Sequence, residues 1–291
     1  MHPLGATISL SLVAAVLFAF GNHCAKRALA DTDSATVTLY QIGTVTLLYW
    51  LASPLFMQAE YWVSGALFML ILIGLFRPLI SSNLGTAGTR ILGPTISSTM
   101  SATGPLVGVT LGVLLLGESL SWQGVVGTVG IVSAVATLSW RGNANRAWPA
   151  IALLLPFAAA MVRASSHAVA KIGLESIPSP LFVALVTYSV SFPLALLYDR
   201  VRGHKIDHRA LPRRCLGWMM LSGALYAGAV MSLNTALLNG DLVVVSPVLA
   251  CTPFFTLLLG LLVFNEANLD RRTIFAVSLV VPSVALIALS G

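Results

Sequence analysis

Gly104-Pro105 and Leu116-Gly117-Glu118 return without gaps 148 residues later as Thr252-Pro253 and Phe264-Asn265-Glu266. Ser98 falls on Ser246 in the same frame, and an offset of 145 lays Ala25-Lys26 on Ala170-Lys171. A long period used twice makes the chain two copies of one unit. The raw material of that unit is apolar: 57% of the 291 residues are hydrophobic and 9% charged. A soluble domain carries about 25% charged residues. The deficit excludes an ordinary soluble enzyme, a nucleic-acid binder and a disordered chain. The formal charge of +6 is then orientation charge facing lipid headgroups.

A hydrocarbon layer of ~30 Å takes about 20 apolar residues per helix. Polar breaks divide the chain into ten such runs: 4–25, 34–57, 62–84, 91–116, 121–140, 148–171, 180–199, 215–238, 242–264 and 271–290. Backbone polar groups in lipid must be satisfied internally, which leaves helices or a closed barrel. Barrel strands alternate with period two, and these runs do not. The expected fold is an all-α membrane protein of ten transmembrane helices, five in residues 1–142 and five in 143–291. Because five is odd, the second unit enters the membrane the opposite way, as an inverted repeat. Such repeats place a solute site at their interface near the midplane. The first run has no Lys or Arg before it and Lys26-Arg27 after it, the reverse of a signal peptide. Trp62, Trp122, Trp140, Trp148 and Trp218 fall at span ends, where indole prefers the interface. Cys24, Cys215 and Cys251 have no metal-ligand or disulfide spacing; no cofactor or metal is expected.

The stretch Thr86-Ala-Gly-Thr-Arg-Ile-Leu-Gly-Pro94, continuing through Ser101-Ala-Thr-Gly-Pro105 to Leu114-Leu-Leu-Gly-Glu118-Ser-Leu120, resembles the fourth-helix signature of the EamA family in the drug/metabolite transporter superfamily. Ser246-Pro-Val-Leu-Ala-Cys-Thr-Pro253 and Phe264-Asn-Glu266 repeat it. The second copy has Asn265-Glu266 in place of Gly-Glu, and Tyr40-Gln41 stand near the position of the Arg usual in the family's second helix. The resemblance implies a ten-helix secondary carrier in the cell (inner) membrane that works by alternating access. Many such carriers are exporters of small metabolites.

Arg163 lies about three residues from the middle of its span, hence ~4–5 Å from the midplane at 1.5 Å per residue. A charge there is costly unless it faces a partner or a wet cavity. His167 and Lys171 follow at i+4 and i+8 on the same face. The stripe reads either as a lining for an anionic, carboxylate-bearing solute with a titratable neighbour, or as structural groups bonded to helix carbonyls. Arg77 precedes Pro78, which frees a carbonyl at position 73 that a guanidinium could use. Depth counting puts Arg77 and Arg163 roughly 12 Å apart, as two stations along one route. Asn22, which falls on His167 in the 145 frame, and His23, Tyr40, Gln41 and Tyr188 are further cavity candidates. Glu118 and Glu266 read as caps on the turns into the following helices, or as ion-coupling groups; Asp241 reads as the cap of the ninth span. Pro94, Pro105, Pro247 and Pro253 break the fourth and ninth spans in matching places suited to gates, while nearby glycines suit close packing.

No Asp or Glu lies mid-span, which disfavours a lipophilic-cation exporter, and no phosphate-binding loop or hydrolase motif occurs. The expected activity is secondary transport of a small polar solute, outward and coupled to protons, by a monomer or homodimer in the lipid bilayer. The alternatives are a membrane-embedded scaffold or a lipid-modifying enzyme. Thirteen cations fall on the side away from the termini and only Lys171 on the side bearing them. The positive-inside rule then places both termini outside the cytoplasm, whereas the family resemblance implies cytoplasmic termini. A reporter active only in the cytoplasm, fused after Gly291, should therefore be silent; a bright fusion reverses the orientation.

Overall fold

The computed structural model describes residues 3–92, 100, 103–139, 150–201, 211–264 and 271–289. Among these residues the secondary structure is helical, with no strand. In the first half α1 covers Pro3–Ala28 and α2 covers Ser34–Ala52. Then come α3 (Ala66–Phe76), α4 (Leu79–Leu92), α5 (Gly104–Leu116) and α6 (Trp122–Ser139). The second half contributes α7 (Leu154–Ser176), α8 (Pro180–Val201), α9 (Arg213–Asn239), α10 (Leu242–Leu249), α11 (Thr252–Leu262) and α12 (Arg271–Ala288). Five helical stretches, Leu4–Ala28, Ile151–Ser176, Pro180–Val201, Arg213–Asn239 and Leu242–Leu262, are long and apolar enough to cross a bilayer.

Local chemistry explains where several helices start and stop. Asp33 accepts the Thr36 amide at 2.8 Å and caps α2, satisfying one of the orphan donors at a helix start. Lys26 and Arg27 lie in the last turn of α1, where cations complement the helix dipole. Gly117, at φ +66°, ends α5 and turns the chain so that the Glu118 amide bonds the Gly112 carbonyl at 3.1 Å. A residue without Cβ takes that left-handed conformation at no steric cost. α5 and α11 begin 148 residues apart, at Gly104 and Thr252, each with its proline in the first turn. Pro105 and Pro253 therefore sit where the missing N–H would have no acceptor within its own helix. Pro94 and Glu266 lie outside the described residues.

One span differs from the sequence expectation, and another breaks beside a proline that was expected to break it. The run at 62–84 is not one helix: α3 ends at Phe76, Arg77 is extended at φ −128° and ψ 140°, and α4 restarts at Leu79. Pro78 cannot donate to the carbonyl four residues back, so the break falls there. α4 then runs through the Gly-Thr stretch expected to end the span. The ninth span is two helices, α10 and α11, parted at Ala250-Cys251. Pro253 leaves the Leu249 carbonyl without its helical donor, and the Thr252 hydroxyl supplies one at 2.7 Å.

The halves interlock. The most extensive packing joins α1 to α9 and α6 to α12, each pair drawn from opposite halves. α2 lies against α8 and α9, α5 against α7 and α10, and α3 and α4 against α7. Exchanging the halves maps these contacts onto one another: α1 with α9 corresponds to α7 with α3 and α4, and α1 with α10 and α11 to α7 with α5. The main core is built where α2, α3, α7, α8 and α9 meet, around Leu70, Leu174, Phe182 and Leu233. Leucines such as Leu51, Leu114 and Leu262 are, by contrast, about three-quarters exposed, the surface a lipid-facing helix presents.

Gly127 of α6 touches α12 so closely that a Cβ would stand 2.6 Å from both the Ser283 carbonyl oxygen and the Ile287 side chain. Gly127→Ala should cost about 1–3 kcal/mol through overpacking, read as a lower melting temperature in detergent. Gly217→Ala, at a helical glycine with nothing within 4 Å, is the control and should not lower it.

Candidate solute-binding site

Arg77 reaches its place through the α3–α4 break. Its amide donates to the Ile73 carbonyl at 2.8 Å, so position 73 is not the freed acceptor. The i→i−4 count from Pro78 falls on Gly74 instead. The Ser191 hydroxyl of α8 sits between the Gly74 and Arg77 carbonyls, 2.6 and 2.7 Å away. Gly74 must be small for this, because a Cβ would meet the Thr187 carbonyl and Val190. The guanidinium is thereby left free of the backbone repair that sequence reasoning assigned to it.

Arg163 of α7 and Arg77 come within electrostatic reach of each other, and both act on Tyr226 of α9. Tyr188 of α8 and His167 of α7 also feel Arg77, and His167 feels Arg163 as well. The depth count assumed an unbroken third span, whereas the chain leaves helical geometry at Arg77. Among the described residues neither guanidinium makes an ion pair or a hydrogen bond, and each is only partly buried. His167 is 7% exposed and its Nε2 has no partner. A small cavity of ≈ 20 Å³, room for about one water, lies beside Arg77 and is lined by Ser166, Thr187, Tyr188 and Asn234.

Tyr226 joins the other candidates to this cluster, and the sequence reading passed over it. Its hydroxyl donates to Asn22 Oδ1 at 2.6 Å, and its ring lies edge-on to Phe18. A Cβ on Gly21 would stand 2.7 Å from that ring, so the absence of a side chain there is what lets α1 and α9 close around it. One turn away, Gln41 donates to Ser222 Oγ at 2.6 Å, and Ser222 donates to the Gly21 carbonyl at 2.7 Å. The available signal was the spacing of Ser222, Tyr226 and Asn234 on one face of α9.

Other candidates lie elsewhere. His23 Nε2 is 2.7 Å from the Thr256 carbonyl of α11, and its ring stacks on Phe264 at 4.4 Å. The Arg27 guanidinium lies over both Trp218 and Phe264, about 5 Å from each ring centre. Tyr40 packs beside Ala28, Val37, Cys215 and Met219. This end of the bundle is thus clasped by aromatic and cation–π contacts from both halves.

The opposite end is clasped by charge. Glu118 accepts the Leu242 and Val243 amides at 2.8 and 2.9 Å. It therefore caps α10 of the other half, not the turn into α6. Asp241 holds the cap position of α10 yet makes no capping bond from its side chain. Lys171 leaves the polar stripe of α7 to pair with Glu118 at 2.9 Å and to bond the Gly240 carbonyl at 2.6 Å, with Asp241 3.4 Å away. Two helix-start amides and an ammonium give the carboxylate three charge-compatible partners, which offsets its burial. By the helical rise, Lys171 and Trp218 each stand about 12 Å from the central cluster, toward opposite ends.

A bundle of long apolar helices with charged groups toward its middle and a clasp at each end is the build of a multi-pass membrane protein. The sequence matches the EamA-like transporter family over residues 5–140 and again over 150–289, and the chain belongs to that family, with two repeats. One solved crystal structure superposes with a TM-score of 0.82 over 98% of this chain and 97% of its own, at 14% identity. At that identity the likeness is one of fold alone. No curated protein matches the sequence.

Glu118→Ala should destabilise the protein by about 2–4 kcal/mol, because it uncaps α10 and strands a buried ammonium. Glu118→Gln, whose single amide oxygen can still accept one of the two backbone amides, should lose less than the Ala variant. Thermal unfolding in detergent measures both, and equal melting of the wild type and the Ala variant would remove the clasp.

Proposed function

We propose that this protein is a secondary active transporter that moves a small, carboxylate-bearing polar solute by alternating access, with Arg77 and Arg163 as its anion-binding groups. The ten spans form two inverted five-helix units, 1–142 and 143–291, and the solute binds between them. The exchange symmetry of the helix contacts supports that arrangement. The observation that carries the activity is the pair of arginines, Arg163 within α7 and Arg77 at the α3–α4 break, free of ion pairs and hydrogen bonds among the described residues. A charge inside a bilayer without a protein partner is costly, and a solute anion supplies the missing partner.

Alternating access requires the clasps to open in turn: the Glu118–Lys171 pair on the face bearing the termini, and the Arg27–Trp218–Phe264 contacts on the other. With both termini outside the cytoplasm, a negative-inside potential favours outward movement of an anion by about 2.3 kcal/mol per charge per 100 mV. That supports export through the cell (inner) membrane. His167, which faces Arg77 and Arg163, is the candidate proton-coupling group, since a bound anion offsets those two charges and lets the imidazole accept a proton.

Purified protein in liposomes should exchange a radiolabelled carboxylate across the membrane, and Arg163→Ala should reduce exchange at least about tenfold while leaving size-exclusion and melting profiles unchanged. His167→Gln should flatten the pH dependence of exchange between about pH 5 and 8. Full exchange by the Arg163 variant would dismiss the site, and no exchange of any solute by the wild type would dismiss transport in favour of a scaffold.

A further inference from the structure

We infer that the site is built for a solute carrying two negative charges close together, a small dicarboxylate or phosphate monoester, in preference to a monoanion, a zwitterion or a neutral polyol. The inference rests on reading the arginine cluster as the solute site and deepens it. Its first support is a charge count. Every Asp and Glu among the described residues falls in a connection or in a terminal turn of a helix. Glu118, whose side chain is 5% exposed, is engaged by Lys171 and the start of α10. Among the described residues the centre of the bundle therefore holds two guanidinium charges and no carboxylate to balance them. A monoanion leaves one of those charges uncompensated in a medium of low dielectric, whereas a dianion neutralises both.

The second support is a donor count. The neutral donors around the cluster are already committed to the protein. Ser166 donates to the Val162 carbonyl, Thr187 to Val183, Asn234 to Pro180 and Tyr226 to Asn22. Among the described residues the two guanidinium forks and the Tyr188 hydroxyl make no hydrogen bond, and His167 Nε2 is an atom buried without a partner. The two charged groups are donors only. That suits clustered oxyanions, to each of which a planar guanidinium offers a bidentate match. Arg77 from the first half and Arg163 from the second would each take one oxyanion group, or share the oxygens of one phosphate. The solute would thus bridge the repeats.

The test is charge selectivity of the intact protein in detergent and liposomes. Succinate and glycerol phosphate are the dianionic probes, butyrate the monoanion, alanine the zwitterion and glycerol the neutral polyol. The two dianions should bind at least about tenfold more tightly than butyrate, with alanine and glycerol weaker still, and whichever dianion leads identifies carboxylate or phosphate as the preferred group. Arg77→Gln and Arg163→Gln should each bring the preferred dianion down to the affinity of butyrate. Because the selectivity series uses the wild type, it stands even if a variant fails to fold. Equal binding of butyrate or alanine would overturn the two-charge assignment while leaving a transporter in place. No binding or exchange of any probe would remove both readings.

Discussion

Inside a bilayer a peptide N–H or C=O that loses its helical partner has no water to turn to, so every break in a helix must be repaired by a side chain. This protein breaks its helices where it needs charge and repairs each break from a neighbour. The carbonyl orphaned by Pro78 is taken by Ser191 of α8, and that orphaned by Pro253 by Thr252. The bare start of α10 is taken by Glu118 from the other half of the chain. Because two of these repairs come from the opposite repeat, they also bind the halves together.

The same economy of partners leaves the centre charged. Ser191 satisfies the backbone at the α3–α4 break, so the Arg77 side chain has no structural task there. Lys171 is drawn away to Glu118, which separates a closed ionic clasp from the open guanidinium of Arg163 on what began as one stripe of α7. His167 remains between the two, buried and with a free ring nitrogen. Small residues set the distances. Gly74 and Gly21 let α8 and the Tyr226 ring approach closely enough to shape the hollow, and a methyl at either would push the walls apart.

Much of this was legible in the sequence because lipid imposes simple rules. Long apolar runs exclude everything but helices, and the 148-residue offset fixed where α5 and α11 begin. Other readings failed for identifiable reasons. The third span was taken as continuous because its hydropathy is continuous, while its single proline outweighed that signal. Asp241 was expected to cap α10 since it stands at the cap position, but a carboxylate 124 positions earlier in the chain reaches the same amides. Tyr226 was missed because an aromatic residue in an apolar span carries no signal by itself.

What the sequence determined by itself is the solvent, the helical class and the twofold copying, since these depend on composition and period, which are properties of the chain. Which residues meet was decided only by the tertiary structure. Arg77 and Arg163 lie far apart in sequence, yet their charges act on each other across the packed helices. Contact depends on how α3 breaks and how α7, α8 and α9 pack around the break, and that packing is a cooperative outcome of both halves at once.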